Sequence, residues 1–341
     1  MNAHQPPLNK LDKVIDWEIF RKPIEEALYV EAKAPGGRPS FDRVMMFKIL
    51  ILQKYYNLSD EQTEFQIKDR LSFLQFLGLQ IGDKVPDEKT IRLFKEQLKE
   101  KNLSQELFAL FAGQLMGHGI VAKEGSTVDA SFVDVPRQHN TREENADVKK
   151  GAVPLAFGKK DKNGKHSKLS QKDTDASWMT KGGERHFGYK DHVNVDSKTK
   201  LITKYSVSGA SPHDSTELEN LIDETDKQLH ADSAYRSEKI EKYLQDKDCE
   251  SFIHEKGYRA NPLTQQQRES NTIKSKIRAR VEHVFGFMTN SMHNALHMRC
   301  IGKERIKSAI GLLNLTYNLF RYEQLVRLQK VKMIWKMRKI E

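Results

Sequence analysis

Ser126-Thr127-Val128-Asp129-Ala130-Ser131-Phe132-Val133 is the stretch on which the fold turns. Apolar residues alternate with small or polar ones, the period of a strand with one buried face. Everything before it reads differently. Leu11 to Val30, Asp42 to Tyr56, Asp60 to Leu77 and Asp87 to Gly119 carry apolar residues at helical intervals. Their breaks fall at Pro35-Gly36-Gly37-Arg38-Pro39, Ser59-Asp60 and Pro86-Asp87, which are turn and cap signals. After the strand a polar stretch runs to about Gly183. Within it Lys149 to Lys172 holds eight lysines, one histidine and a single acid, and reads as a mobile basic loop.

Two further strand-like runs follow, His186 to Val195 and Leu201 to Val207, joined by Asp196-Ser197-Lys198-Thr199-Lys200, a hairpin turn in composition. Next come a helix over about Ser215 to Thr225, a strand near Gln228 to Ala231, a helix over Ser237 to Gln245 and a strand over Glu250 to His254. A long basic helix covers about Ser275 to Thr289, and Lys303 to Glu341 is helical again, its end carrying Arg327, Lys330, Lys332, Lys336, Arg338 and Lys339. That order of elements is that of a ribonuclease-H-like domain, a mixed sheet with helices against its faces. The expected fold class is therefore α/β (α+β) in three parts: a helical N-terminal domain over 1–122, a catalytic domain over 123–300 with its basic loop at 137–183, and a basic helical segment over 301–341. The short N-terminal helices could form a helix-turn-helix reader of DNA; the plainer alternative is a helical bundle.

Composition narrows the class of partner. The 341 residues leave room for a substantial core. The 57 Lys and Arg against 47 Asp and Glu give a formal charge of +10, which favours a polyanion because each cation near a phosphate releases condensed counterions. Cys249 and Cys300 are too few for a disulfide framework or a zinc site, and fit a reducing compartment. Met1 to Lys13 lacks the apolar run of a signal peptide. The greasiest run, Leu107 to Ala122, is interrupted by Gln114 and His118 and is too short to span a bilayer. The expectation is a cytoplasmic, nucleoid-associated protein with no membrane partner.

Three acids stand where phosphodiester chemistry would want them. Asp129 lies inside the first strand, where a carboxylate is costly unless paired or metal-bound. Asp232, in Leu229-His230-Ala231-Asp232-Ser233-Ala234-Tyr235-Arg236, follows the fourth strand, at the kind of edge that carries ligands in α/β sheets. Glu282, in Arg278-Ala279-Arg280-Val281-Glu282-His283-Val284-Phe285-Gly286, sits on the long basic helix with a side chain long enough to reach the strand ends. Each acid also has a structural reading: Asp129 ends a strand, Asp232 caps the next helix, Glu282 pairs with Arg278 one turn away. Their joint placement is the more specific signal. Mg²⁺ is a hard ion that takes carboxylate oxygens, and two-metal phosphoryl transfer needs acids converging from separate elements.

The same residues resemble the Asp-Asp-Glu triad of bacterial insertion-sequence transposases of the insertion sequence 5 family. Gly37-Arg38-Pro39, Tyr56-Asn57-Leu58-Ser59-Asp60, Asp69-Arg70-Leu71-Ser72-Phe73 and Phe76-Leu77-Gly78-Leu79 resemble that family's N-terminal half. Gly188-Tyr189-Lys190, His213-Asp214-Ser215, Ala231 to Tyr235 and Arg278 to Gly286 resemble its catalytic half. The resemblance covers residues 36 to 321. It implies a metal-dependent DNA-cutting and DNA-joining enzyme with Asp129, Asp232 and Glu282 as catalytic and metal-holding residues and Mg²⁺, or Mn²⁺, as cofactor. Cleavage at the transposon end would free a 3′-hydroxyl that then attacks target DNA. The implied partners are double-stranded DNA, as terminal inverted repeats and target, and a second copy of the chain, giving a homodimer or larger assembly on DNA.

Two positions depart from the pattern of related enzymes around the third acid: Ser275 stands where a tyrosine is common and Thr289 where a lysine is. The helix keeps Lys274, Lys276, Arg278 and Arg280, which with Arg236 are the expected DNA contacts. Only 49 residues lie between Asp232 and Glu282, leaving no room for a large insertion, whereas the 102 between Asp129 and Asp232 place their surplus in the basic stretch, expected to reach over DNA. His213 and Asp214 read as cap or neighbours of the site, Tyr235 as packing or phosphate contact, Trp178 as packing anchor or a platform for an unpaired base. Glu184 and Asp191 read as ordinary surface charges. Rival functions are a metal-dependent nuclease on the same fold and a domesticated, non-catalytic DNA-binding protein.

Overall fold

A computed structural model of the chain describes residues 6–29, 40–121, 125–157, 171–258 and 261–335. Gly37-Arg38-Pro39, most of the lysine run, and Lys336, Arg338 and Lys339 lie outside these residues. The first part is helical: α1 (Pro7–Asp12), a 3₁₀ turn (Trp17–Phe20), α2 (Arg21–Ala27), α3 (Arg43–Tyr55), α4 (Asp60–Asp69), α5 (Leu71–Leu77), α6 (Glu88–Glu100) and α7 (Leu103–Gly117). Caps set the starts. The Asp42 carboxylate accepts from the Met45 amide, Ser59 and Gln62 form a reciprocal capping box, and Asp87 accepts from the Thr90 amide. α3 is apolar on most sides and buried on most sides, so it runs through the middle of the bundle. Three of the long helices expected from periodicity are broken. The first gives way to the 3₁₀ turn capped by Asp16, the third at Arg70, whose backbone is extended, and the fourth at Asn102, which takes the left-handed conformation that asparagine tolerates.

The second part is built on β1 (Ser126–Asp134), α8 (Arg142–Lys149), β2 (Ser177–Lys181), β3 (Glu184–Asp196), β4 (Ile202–Gly209), α9 (Leu218–Leu221), β5 (Gln228–Ala231), α10 (Glu238–Asp246), β6 (Glu250–Ile253), α11 (Gln265–Gly286) and α12 (Lys303–Arg327). The strands form one sheet in the order β2-β3-β1-β5-β6, with β4 sharing an edge of β3 with β2. β3 is antiparallel to β1, β2 and β4, while β1, β5 and β6 run parallel. This is the mixed sheet of a ribonuclease-H-like fold. Gly188 sits where β3 changes neighbour from β2 to β4. Its φ is +151°, and a Cβ there would come within 2.2 Å of the Val133 carbonyl oxygen, so only glycine fits.

Within the stretch read as a basic loop, the described residues include α8, started by a Thr141–Glu144 capping box, and the edge strand β2. Trp178 belongs to β2, tilted against Phe187 with the Arg137 guanidinium 5.8 Å over its ring. α11 begins well before the expected Ser275, at a Thr264–Gln267 capping box, and ends in a π turn over Phe287–Ser291. The expected helix over Ser215 to Thr225 is a 3₁₀ turn (Asp214–Glu217) followed by the single turn of α9.

Alternation along β1 sorts the interior. Val128, with Leu229 and Ala231 of β5, packs against Leu218, Ile240 and Leu244. Val133 and Val193 face the opposite way, into a core that continues through the N-terminal helices, α11 and α12. α12 is buried over nearly its whole length and packs against α7, α3, α6 and β4. Its Asn318 amide accepts from the Ile202 amide at 2.9 Å and donates to the Ile202 carbonyl at 2.8 Å, tying helix to strand. No helix among the described residues is long and apolar enough to cross a membrane.

Candidate active site

The parallel strands set the geometry. β1 and β5 pair with Ser126 opposite Leu229 and Thr127 opposite His230, a register that carried onward brings Asp129 beside Asp232. β5 and β6 pair with Ala231 opposite Ile253, which brings Asp232 beside His254. Neighbours in a parallel register project to the same face, here the one that α11 covers. Hydrogen bonds hold both aspartates. One Asp129 oxygen accepts from the Ala130 amide at 2.8 Å, and Asp232 caps the 3₁₀ turn Ser233–Tyr235 by accepting from the Ala234 amide at 2.8 Å.

Glu282 approaches from α11 by way of Arg278. The Arg278 guanidinium donates to Asp129 Oδ2 at 3.1 Å and to Glu282 Oε1 at 2.8 Å, so one cation spans the two acids. Among the described residues no three His, Cys, Asp or Glu side chains are drawn together closely enough to hold a metal as they stand. Arg278 occupies the space between two of them. Two of the three structural alternatives are also physically present, Asp232 capping a turn and Glu282 pairing with Arg278, whereas β1 continues past Asp129 to Asp134.

The electrostatics show a site short of positive charge. Burial pushes the Asp129 carboxyl up to about 6; the Ala130 amide and Arg278 pull it down, and Asp232 pushes it further up. Tyr235 lies beneath the strand ends, 1% exposed, with a hydroxyl that has no partner; burial and then Asp129, Asp214 and Asp232 raise it well above the ordinary tyrosine range. The Arg278 Nε is likewise buried and unpartnered. A divalent cation fits this donor set. The carboxylate oxygens are hard ligands, and the chain already places a cation between Asp129 and Glu282.

The remaining candidates have other attachments. Arg236 and Lys274 converge on the Ile253 carbonyl and on Glu255, at 3.0 Å for Arg236 and 3.5 Å for Lys274. Arg280 donates to the Ser197 carbonyl, and Lys276 is exposed. His213 caps the turn entering α9, and Asp214 pairs with the buried Lys190 at 2.6 Å. Asp191 corrects a sequence reading: it is not a surface charge but 0% exposed beneath α12. His254 was missed. Its pKa is lowered by burial and then by Arg278 and Lys274, while Asp232 raises it, and the signal for it was its place immediately after a strand parallel to that of Asp232.

Residues 122–319, more than half of the chain, match the family described as Transposase DDE domain. The chain belongs to the DDE transposase family. Residues 1–97 of the transposase match a second family, described as Transposase domain (DUF772). Membership makes the protein an enzyme of DNA strand cleavage and strand transfer that depends on a divalent metal. The transposase is also similar to a solved structure, the piggyBac transposase synaptic complex with hairpin DNA determined by cryo-EM. The identity is 12%, 98% of this chain and 78% of that chain are covered, and the TM-score is 0.44, a likeness too loose to place any residue.

Proposed function

We propose that Asp129, Asp232 and Glu282 are the three acids of this transposase, that they hold Mg²⁺ or Mn²⁺, and that they act on double-stranded DNA at the terminal inverted repeats and then at the target. The observation that carries the reading is the strand register that sets Asp129 beside Asp232 on the face under α11, with Arg278 linking Asp129 to Glu282.

The bound metal supplies Lewis acidity, easing formation of the attacking oxygen and stabilising charge on the leaving one. The rest falls to the chain. The amides of Ala130 and Ala234 fix one oxygen of each aspartate and so fix their rotamers. Glu282, 58% exposed at its side chain, is the acid with freedom to swing as Arg278 lets go. Arg278, released from the two carboxylates, is placed to meet a DNA phosphate, with exposed Lys276 nearby on the same helix. Residues 1–122 serve as the DNA-recognition part, 123–300 as the catalytic part and 301–341 as a basic C-terminal segment. Cutting and joining two ends together calls for two or more copies on DNA.

Incubating the protein with pre-cleaved transposon ends, plasmid target and Mg²⁺ tests the reading. Joined product is expected from the parent, and loss of at least about 100-fold in cleavage and joining is expected from Asp232→Asn with unchanged thermal stability. Unchanged cleavage by Asp232→Asn would remove the assignment.

A further inference from the structure

A cavity of about 420 Å³ opens between α3, α6, α12 and the segment 297–301, and none of the three acids lines it. Its wall carries six cations against two carboxylates. Three of those cations are compensated: Lys95 pairs with Asp60, and Lys99 and Arg305 both reach Glu96 at 2.6 Å. The other three, Lys54, Arg92 and Arg299, have no carboxylate partner among the described residues. Lys54 is half-buried; its Nζ donates to the Met298 sulfur, a weak acceptor, at 3.5 Å, and the Cys300 thiol and Asp60 also act on its charge. Arg299 is held by the Asn57 amide oxygen at 2.8 Å, a neutral acceptor that fixes its guanidinium without cancelling its charge. Arg92 stands exposed at the rim.

We infer that this cavity is a phosphate-binding site, taking the phosphate group either of a DNA backbone or of a free nucleotide. A half-buried ammonium whose hydrogen-bond acceptor is a thioether is costly, and desolvation brings the Lys54 pKa down to about 8. A phosphate supplies both the acceptor oxygens and the opposite charge. Two guanidinium forks and one ammonium suit its several oxygens better than those of a carboxylate. The floor, with Leu50, Leu58 and Leu312, is apolar enough to accept a sugar or base behind the phosphate. Because the walls come from the N-terminal helices and from α12, an occupant ties the two together.

The site is distinct from the three acids, so its test fails or succeeds independently of the assignment above. In a Cys249→Ser background Cys300, which lines the cavity, is the remaining thiol and reports occupancy. The full chain is given inorganic phosphate, adenosine monophosphate or a short DNA duplex, and thermal unfolding and the rate of Cys300 modification by a thiol reagent are followed. Occupancy is expected to raise the melting temperature and slow the modification. Lys54→Met is expected to weaken that probe by about tenfold or more, a loss of ~1.4 kcal/mol. Protection by the duplex alone assigns the phosphate to DNA, and protection by adenosine monophosphate assigns it to a nucleotide. Arg92→Gln, at the exposed rim, provides a second variant if Lys54→Met does not fold. If no probe protects Cys300 or shifts the melting temperature, or if Lys54→Met and Arg92→Gln both bind as the parent does, the inference is overturned.

Discussion

Replacing Asp191 with asparagine is expected to stabilise the protein at neutral and alkaline pH, by an amount the structure bounds. One Asp191 oxygen accepts from Asn314 Nδ2 at 3.0 Å; the other has no partner, and neither does the amide oxygen of Asn314. A proton on Asp191 supplies the one donor this pair lacks. Burial accordingly raises the carboxyl from its ordinary 3.8 to about 7, and the Asn314 bond lowers it only in part. From β4, Tyr205 faces the same carboxyl and has its own hydroxyl pushed up by burial and by Asp191.

Between pH 3.8 and about 7 the native state keeps a proton that the unfolded chain has released, so stability falls as pH rises through this window and levels off above it. At ~1.4 kcal/mol per pH unit the full gap is worth ~4 kcal/mol, an upper bound because buried sites relax. Asp191→Asn removes that cost and keeps a hydrogen-bonding side chain of the same shape. Urea unfolding followed by tryptophan fluorescence at about pH 8 should show the variant ~2–4 kcal/mol more stable than the parent, with the difference shrinking by more than half at about pH 5. Identical pH profiles for variant and parent would refute the reasoning.

Arg278→Met leaves Asp129 and Glu282 without their shared cation, so the metal-free protein should melt a few degrees lower. The same variant should bind Mn²⁺ about tenfold more tightly in a titration followed by electron paramagnetic resonance, since no guanidinium competes; unchanged or weaker Mn²⁺ binding would mean that Arg278 does not stand in for a metal. Gly188→Ala drives a methyl into the Val133 carbonyl and should cost ~2 kcal/mol or more, read as a lowered urea midpoint; a midpoint equal to the parent's would show that β3 can bend there without penalty.

Much of this architecture was legible in the sequence, and the exceptions have physical causes. β5, α10 and β6 fall within a residue of their expected bounds because apolar period and turn signals agree there. β2 escaped notice because an edge strand exposed along most of Ser177–Lys181 shows no buried alternation. The first half of α11, Gln265 to Lys274, is polar with hardly any buried side, so its only signature was the Thr264 capping box. Asp191 was misread although the pattern contained the answer: Tyr189, Asp191, Val193 and Val195 share parity along β3, and the other three are core residues. The sequence placed one acid within the first strand and the other just past the fourth; that these strands pair in parallel, in the register that sets Asp129 beside Asp232, is a tertiary fact. The span of Arg278 between Asp129 and Glu282 is another, set by α11's rotation against the sheet.

α12 comes late in the polypeptide yet fills the middle of the molecule, completing the bundle and backing the sheet at once. A ribosome must release residues 303–327 before either half can close over its greasy surface. A copy of the gene cut short by a stop codon upstream of that segment would therefore yield proteolytic debris, and not a stable fragment able to compete with intact siblings for the same DNA.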